Sequence, residues 1–207
     1  MKAFIFKIAI GFYFSIGMLH ADALSEGLGA YEKGNYMASS LFFEEACDNN
    51  VMEACYNLAL MYDEGVGVYK DDQKAMMLLT KACEGGFVDS CYNLGIMHEK
   101  GEGVTQDTIK AFTLYYQACE KGHTRGCYST ALMYYKGEGV RKNFVEAAKL
   151  FQQTCNEGYE KSCFNLGVMY RDGQGVVQNR QKAIELFSQA CTMGFDLGCK
   201  NALLLKE

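Results

Sequence analysis

The chain has no proline and no tryptophan among its 207 residues, and only three histidines. Without proline it lacks the residue that most often breaks a helix and slows folding by isomerisation. Glycine, with 22 copies, is then the one strong breaker, so glycines are expected to mark the turns. Basic residues are also short: 20 Lys and Arg stand against 25 Asp and Glu, a formal net charge of −5. A nucleic-acid or anionic-membrane partner needs a basic face, so neither is expected. Beyond the N-terminus no apolar run is long enough to span a bilayer. What is present is an ordinary folded composition, 49% apolar and 22% charged, able to bury a core.

The N-terminus reads as a signal peptide over residues 1–23. Lys2 and Lys7 precede an apolar stretch from Ile8 to Leu19, interrupted by Gly11, Ser15 and Gly17. Cleavage can follow Ala21 or Ala23, and the small-x-small rule favours the second, with Ala21 and Ala23 flanking Asp22. An uncleaved anchor is the alternative, but the stretch falls short of the ~20 residues a spanning helix needs. The expected product is secreted, periplasmic or extracellular, with no stable membrane insertion, and more acidic once Lys2 and Lys7 are gone.

The ten cysteines are Cys47, Cys55, Cys83, Cys91, Cys119, Cys127, Cys155, Cys163, Cys191 and Cys199: pairs eight apart, repeating every 36 residues. In an exported chain they read as disulfides. Pairing across 28 residues would strand Cys47 and Cys199 at opposite ends, whereas pairing across eight leaves none over. The expected bonds are therefore Cys47–Cys55, Cys83–Cys91, Cys119–Cys127, Cys155–Cys163 and Cys191–Cys199. Each closes a short loop worth about 2–3 kcal/mol on a chain-entropy view. Seven intervening residues do not fit a zinc knuckle, and no metal or other cofactor is expected.

In that register Cys55-Tyr-Asn-Leu-Ala-Leu-Met-Tyr62 aligns with the segments starting at Cys91, Cys127 and Cys163 and reads as a helix A. Its small position (Ala59, Gly95, Ala131, Gly167) is expected to let a neighbouring helix backbone come close. Helix A stops at Gly65, Gly101, Gly137 and Gly173, each followed by a second glycine and a valine. This G-x-G string has no preceding strand and no third glycine at the dinucleotide spacing, so it reads as a structural loop. Asp71, Asp107, Asn143 and Asn179 sit as N-caps of a helix B, and Asn143 with Glu146 resembles a capping box. Ala75, Leu78, Leu79 and Ala82 begin the apolar stripe of helix B, which recurs in each repeat. Gly86, Gly122, Gly158 and Gly194, with Asn50 in the first copy, are placed to end it in the left-handed conformation. The organisation expected is a tetratricopeptide-like hairpin over 24–54, repeats over 55–90, 91–126, 127–162 and 163–198, and a capping helix over 199–207.

The pattern Leu-Gly/Ala-x-x-Tyr, Gly-x-Gly-Val and Ala-x-x-Leu-Phe, with cysteines eight apart, resembles the Sel-type subclass of tetratricopeptide-like repeats. More closely it resembles the Helicobacter cysteine-rich proteins, over nearly all of the mature chain. The resemblance implies an all-α fold: a right-handed α/α superhelix, or solenoid, with one disulfide per repeat. It also implies export, a role in host interaction, and an association with penicillin binding and weak β-lactamase activity.

The residues themselves carry no catalytic motif. Ser25, Ser39, Ser40, Ser90, Ser129, Ser162 and Ser188 all lack a lysine three residues on, which a serine β-lactamase would place there. His98, in a tyrosine position, and His123 are the only histidines after the leader, too few for a zinc enzyme. A binding groove fits better. By analogy with tetratricopeptide repeats, helix A would present Tyr56, Asn57, Asp63, Tyr92, Asn93, Glu99, Arg125, Tyr128, Ser129, Lys161, Phe164, Asn165 and Arg171 along it. Amides there can hold a peptide backbone; alternatively the aromatic residues pack between repeats and Asn57, Asn93 and Asn165 bond to neighbouring loops. The expected partner is a protein, a peptide or, through the resemblance, a β-lactam-like small molecule, bound by a monomer. The five disulfides would join each helix B to the next helix A and so hold the curvature, which reduction should loosen before the helices melt.

Overall fold

The computed structural model describes residues 22–205, and every regular element among them is a helix. α1 covers residues 22–32. It is followed by α2 (Tyr36–Asp48), α3 (Met52–Glu64), α4 (Asp72–Glu84), α5 (Val88–Lys100) and α6 (Thr108–Glu120). Then come α7 (Thr124–Lys136), α8 (Phe144–Asn156), α9 (Glu160–Asp172), α10 (Arg180–Thr192) and α11 (Asp196–Leu204). Apart from Asp22 and Ala23, the signal peptide expected at 1–23 lies outside the described residues. Ala23 is only 4% exposed and packs with Phe43, so cleavage after Ala21 would keep a core side chain that cleavage after Ala23 would remove.

The chain forms two compact units, 22–97 with Gly101–Thr105, and His98–Lys100 with 106–205. In the first, Phe43, Ala54, Leu58 and Met61 from α2 and α3 meet Ala82 of α4. In the second, Phe151 of α8, Leu166 and Met169 of α9 and Leu186 of α10 form one cluster, and Phe187 and Ala202 belong to another. The odd-numbered helices are helices A and the even-numbered ones helices B. A 13-residue helix A, loop 65–71, a 13-residue helix B and connector 85–87 together make the 36-residue period.

The connector explains where each helix A starts. Gly86 is left-handed (φ 94°), its amide bonds the Cys83 carbonyl, and the Phe87 amide bonds the Ala82 carbonyl. This is a Schellman ending, and it recurs at Asn50, Gly122, Gly158 and Gly194. The residue that closes the turn also N-caps the next helix A: Val51, Phe87, His123, Tyr159 or Phe195. Helix A thus begins three residues before its cysteine, a start that reading from the cysteine alone places too late. The connector brings the two cysteines together, and all five bonds span eight residues, from helix B to the next helix A.

The long loop is fastened at both ends. Asp71, Asp107, Asn143 and Asn179 each accept first-turn amides of helix B, while their own amides donate back to carbonyls of Tyr62, His98, Tyr134 and Tyr170 at 2.9 Å. Because the Asn143 amide is spent on Tyr134, the capping box expected with Glu146 is only half formed: the Asn143 side chain accepts from Val145 and Glu146, and the return bond is replaced by the one to Tyr134. Lys70, Gln106 and Gln178 cap the last helix A carbonyls, those of Asp63, Glu99 and Arg171, at 2.7–2.8 Å.

The second loop glycine does more than turn the chain. Gly67 (φ 72°) lies on the start of α2, where a β-carbon would come within 2.5 Å of the Tyr36 backbone. Gly103, Gly139 and Gly175 lie likewise on Asp72, Thr108 and Phe144, each 31 residues earlier. The small position of helix A differs from expectation. A β-carbon on Gly167 would meet the Phe187 ring at 2.9 Å, so a side chain fills that space. The close backbone approach occurs one residue before the cysteine, where a β-carbon would come within 2.7 Å of the Phe187 carbonyl at Gly198 and 3.2 Å of the Tyr115 carbonyl at Gly126.

Candidate binding surface on helices A

In three repeats the aromatic residue after the helix A cysteine packs on the cap of the next helix A. Tyr56 meets Phe87, Tyr128 meets Tyr159 and Phe164 meets Phe195, with ring centroids 5.0, 4.8 and 5.1 Å apart. Such pairs add about 0.5–1.5 kcal/mol beyond area burial. The asparagines continue the same ladder. Asn93 Nδ2 donates to Tyr56 Oη, and Asn165 Nδ2 to Tyr128 Oη, both at 3.3 Å. In these two pairs the amide reaches a phenol on the preceding helix A, not a loop. Tyr92 is half-buried in the same position of α5.

The charged candidates make contacts of other kinds. Arg125 and Lys161 are exposed in the first turns of α7 and α9. Arg171 is bound to Asp172 at 2.7 and 2.8 Å, which holds the Asp172 carboxyl below its usual range and the guanidinium above its own. Glu99 accepts from Tyr115 Oη at 2.6 Å. Burial, with Glu160 adding to it, pushes the Tyr159 phenol up, while Arg125 opposes the shift.

Of the residues proposed from the sequence for the groove, Asn57 lines a cleft in the first unit. This cleft has a volume of about 260 Å³. Leu28 and Tyr31 of α1 form one wall and Asn57, Leu60 and Glu64 of α3 the other, over Phe43 and Met61. It lies between two successive helices A, apolar at its base, with one amide and one carboxylate among its lining groups. A second cleft, of about 330 Å³, lies between α2, α3 and α4. Reading for helix A residues missed it, because helix B supplies most of its walls. The available signal was charge spacing: Glu44 and Asp48 four apart, Lys74 and Lys81 seven apart, each pair on one helical face.

Three serine hydroxyls are spent on internal bonds. Ser39 donates to the Gly27 carbonyl at 2.8 Å and Ser40 to that of Met37 at 2.9 Å. Ser162 accepts from Thr154 at 2.6 Å, whereas Ser90 is fully buried with its hydroxyl unpartnered. His123 Nδ1 accepts from the Gly126 amide at 2.9 Å, a capping role that sequence reading did not assign. His98 is 3% exposed, and neither ring nitrogen has a hydrogen-bond partner. Burial pushes its imidazole below the ordinary value, and Lys110 adds to the shift. Among the described residues no three His, Cys, Asp or Glu side chains cluster to hold a metal, and no helix is long and apolar enough to cross a membrane.

These features define a disulfide-linked helical repeat scaffold. The Sel1 repeat model matches residues 53–87, 88–123, 124–159 and 160–195, and the chain belongs to the Sel1 repeat family. A 78-residue stretch is 33% identical to HcpE of Helicobacter pylori, a protein with a provisional beta-lactamase name. That match covers 34% of this chain and 22% of HcpE, so the chain spans about a fifth of that relative. Among solved structures it is similar to c5321, a protective antigen of uropathogenic Escherichia coli with an SLR fold. There the TM-score is 0.83 at 29% identity, over 86% of this chain and 39% of that one. A Sel1 repeat protein from Oxalobacter formigenes shares the fold, with a TM-score of 0.79 at 24% identity over 83% of this chain and 70% of that one.

Proposed function

We propose that the protein is an exported scaffold that captures a polypeptide segment of another protein along its helices A. The observation that carries this reading is the cleft between α1 and α3. Its base of Phe43 and Met61, walls of Leu28, Tyr31 and Leu60, and polar Asn57 and Glu64 match the needs of an apolar peptide side chain beside a basic one. Five disulfides support export, since such bonds persist in oxidising compartments. Membership of a repeat family whose stacked units present extended surfaces supports an interaction role. Panning a random peptide library on the oxidised protein tests it. Sequences pairing an apolar with a basic residue should be enriched, and Leu60→Asp with Asn57→Ala should abolish the enrichment. Peptides that bind the double variant equally well would refute the assignment.

A further inference from the structure

The cleft between α2, α3 and α4 has a charge arrangement that the peptide-capture reading does not use. Glu44 and Asp48, one turn apart on α2, line one side, and Lys74 and Lys81 of α4 line the other. Leu58 and Tyr62 of α3, with Met77 and Leu78 of α4, supply the apolar surface between them. The two signs do not neutralise each other. Among the described residues neither Glu44, Asp48 nor Lys74 belongs to an ion pair. Lys81 Nζ is spent on the Cys47 carbonyl at 2.7 Å, and Lys74 Nζ stands 5.0 Å from the centre of the Tyr62 ring. The cleft therefore offers carboxylates on one wall, an ammonium on the other, and an apolar bed with Met77 at 67% exposure.

At about 330 Å³ the volume is at the small end of ligand sites, too small for a folded partner and ample for a single small molecule. A ligand with one charge would satisfy one wall and face a like charge on the other. A ligand with both charges and an apolar body satisfies all three surfaces. We propose that this cleft binds a free α-amino acid with a large apolar side chain. Its ammonium pairs with Glu44 and Asp48, its carboxylate with Lys74, and its side chain lies against Leu58, Met77 and Leu78.

The test is calorimetric titration of the oxidised full chain with L-phenylalanine, L-leucine and L-methionine up to millimolar concentration. The same titration is run with N-acetyl-L-phenylalanine, L-phenylalaninamide and the doubly blocked N-acetyl-L-phenylalaninamide. At least one free amino acid should bind saturably. Blocking either charge should weaken phenylalanine, or the matching analogue of whichever amino acid binds, by about tenfold or more, as expected when one charge-assisted contact is lost. Glu44→Gln and Lys74→Gln, both at exposed positions, should weaken it similarly with unchanged helicity, while Asn57→Ala in the other cleft should not. Absence of saturable binding by all three amino acids would overturn the proposal. Equal binding of the doubly blocked analogue would also overturn it, since the cleft would then read a side chain within a polypeptide.

Discussion

Asn165 Nδ2 donates to the phenol of Tyr128, 37 residues earlier, at 3.3 Å, and Asn93 repeats the contact with Tyr56. Each pair joins successive helices A. Asn165→Ala should cost about 1 kcal/mol, the ordinary worth of such a bond. Tyr128→Phe keeps the ring against Tyr159 and loses the same bond, so the double variant should cost less than the two singles combined. Urea denaturation checks this. Full additivity would mean that the bond contributes nothing.

Two glycine classes are separable by substitution. Gly175 combines a left-handed backbone (φ 71°) with direct contact on the Phe144 backbone, whereas Gly158 (φ 91°) has open space where a β-carbon would go. Asn50 already fills the position equivalent to Gly158 at φ 63°. Gly158→Asn should therefore stay within about 1 kcal/mol of the parent, and Gly175→Asn should lose at least ~2 kcal/mol. Equal losses in thermal melts would show that the loop of one repeat does not bear on helix B of the preceding one.

His98 makes stability depend on pH in a fixed direction. Its folded value lies below the ordinary imidazole value of about 6.5, chiefly because burial disfavours the charged ring. Above that value both states hold a neutral ring and the stability is fully present. As pH falls below it, the unfolded chain takes up a proton first, and stability drops until the folded ring also protonates. His98→Tyr, which restores the residue found at Tyr62, Tyr134 and Tyr170, should flatten the dependence of the melting temperature between about pH 7 and 5. His123, whose Nδ1 caps α7, is common to both proteins, so the difference between the two profiles isolates His98. Identical slopes would contradict the assignment.

Much of the fold is legible in the sequence because it depends on local chemistry. An N-cap such as Asp107, a left-handed residue such as Gly122 and a cysteine pair eight apart act within a few residues of chain, where spacing alone carries the information. The candidate site is less legible because its contacts span repeats. Nothing in the neighbourhood of Asn93 announces Tyr56, and nothing near Lys81 announces the Cys47 carbonyl, 34 residues away. The two readings of helix A, ligand contact or packing between repeats, involve the same residue types at the same spacing. Only the stacking shows that Tyr56, Tyr128 and Phe164 pack against the cap of the following repeat.

The disulfides act between hairpins: Cys83 in the last turn of α4 is bonded to Cys91 of α5, and the other bonds likewise run from a helix B to the next helix A. Amide hydrogen exchange followed by mass spectrometry during stepwise reduction, with far-ultraviolet helicity recorded on the same samples, tests this most directly. Protection should fall first in the connectors around residues 85–87 and 157–159, while helicity and exchange within α4 and α9 hold at low temperature. Simultaneous loss of protection in the connectors and helix interiors, tracking the loss of helicity, would show that the bonds stabilise the helices themselves and would contradict the account.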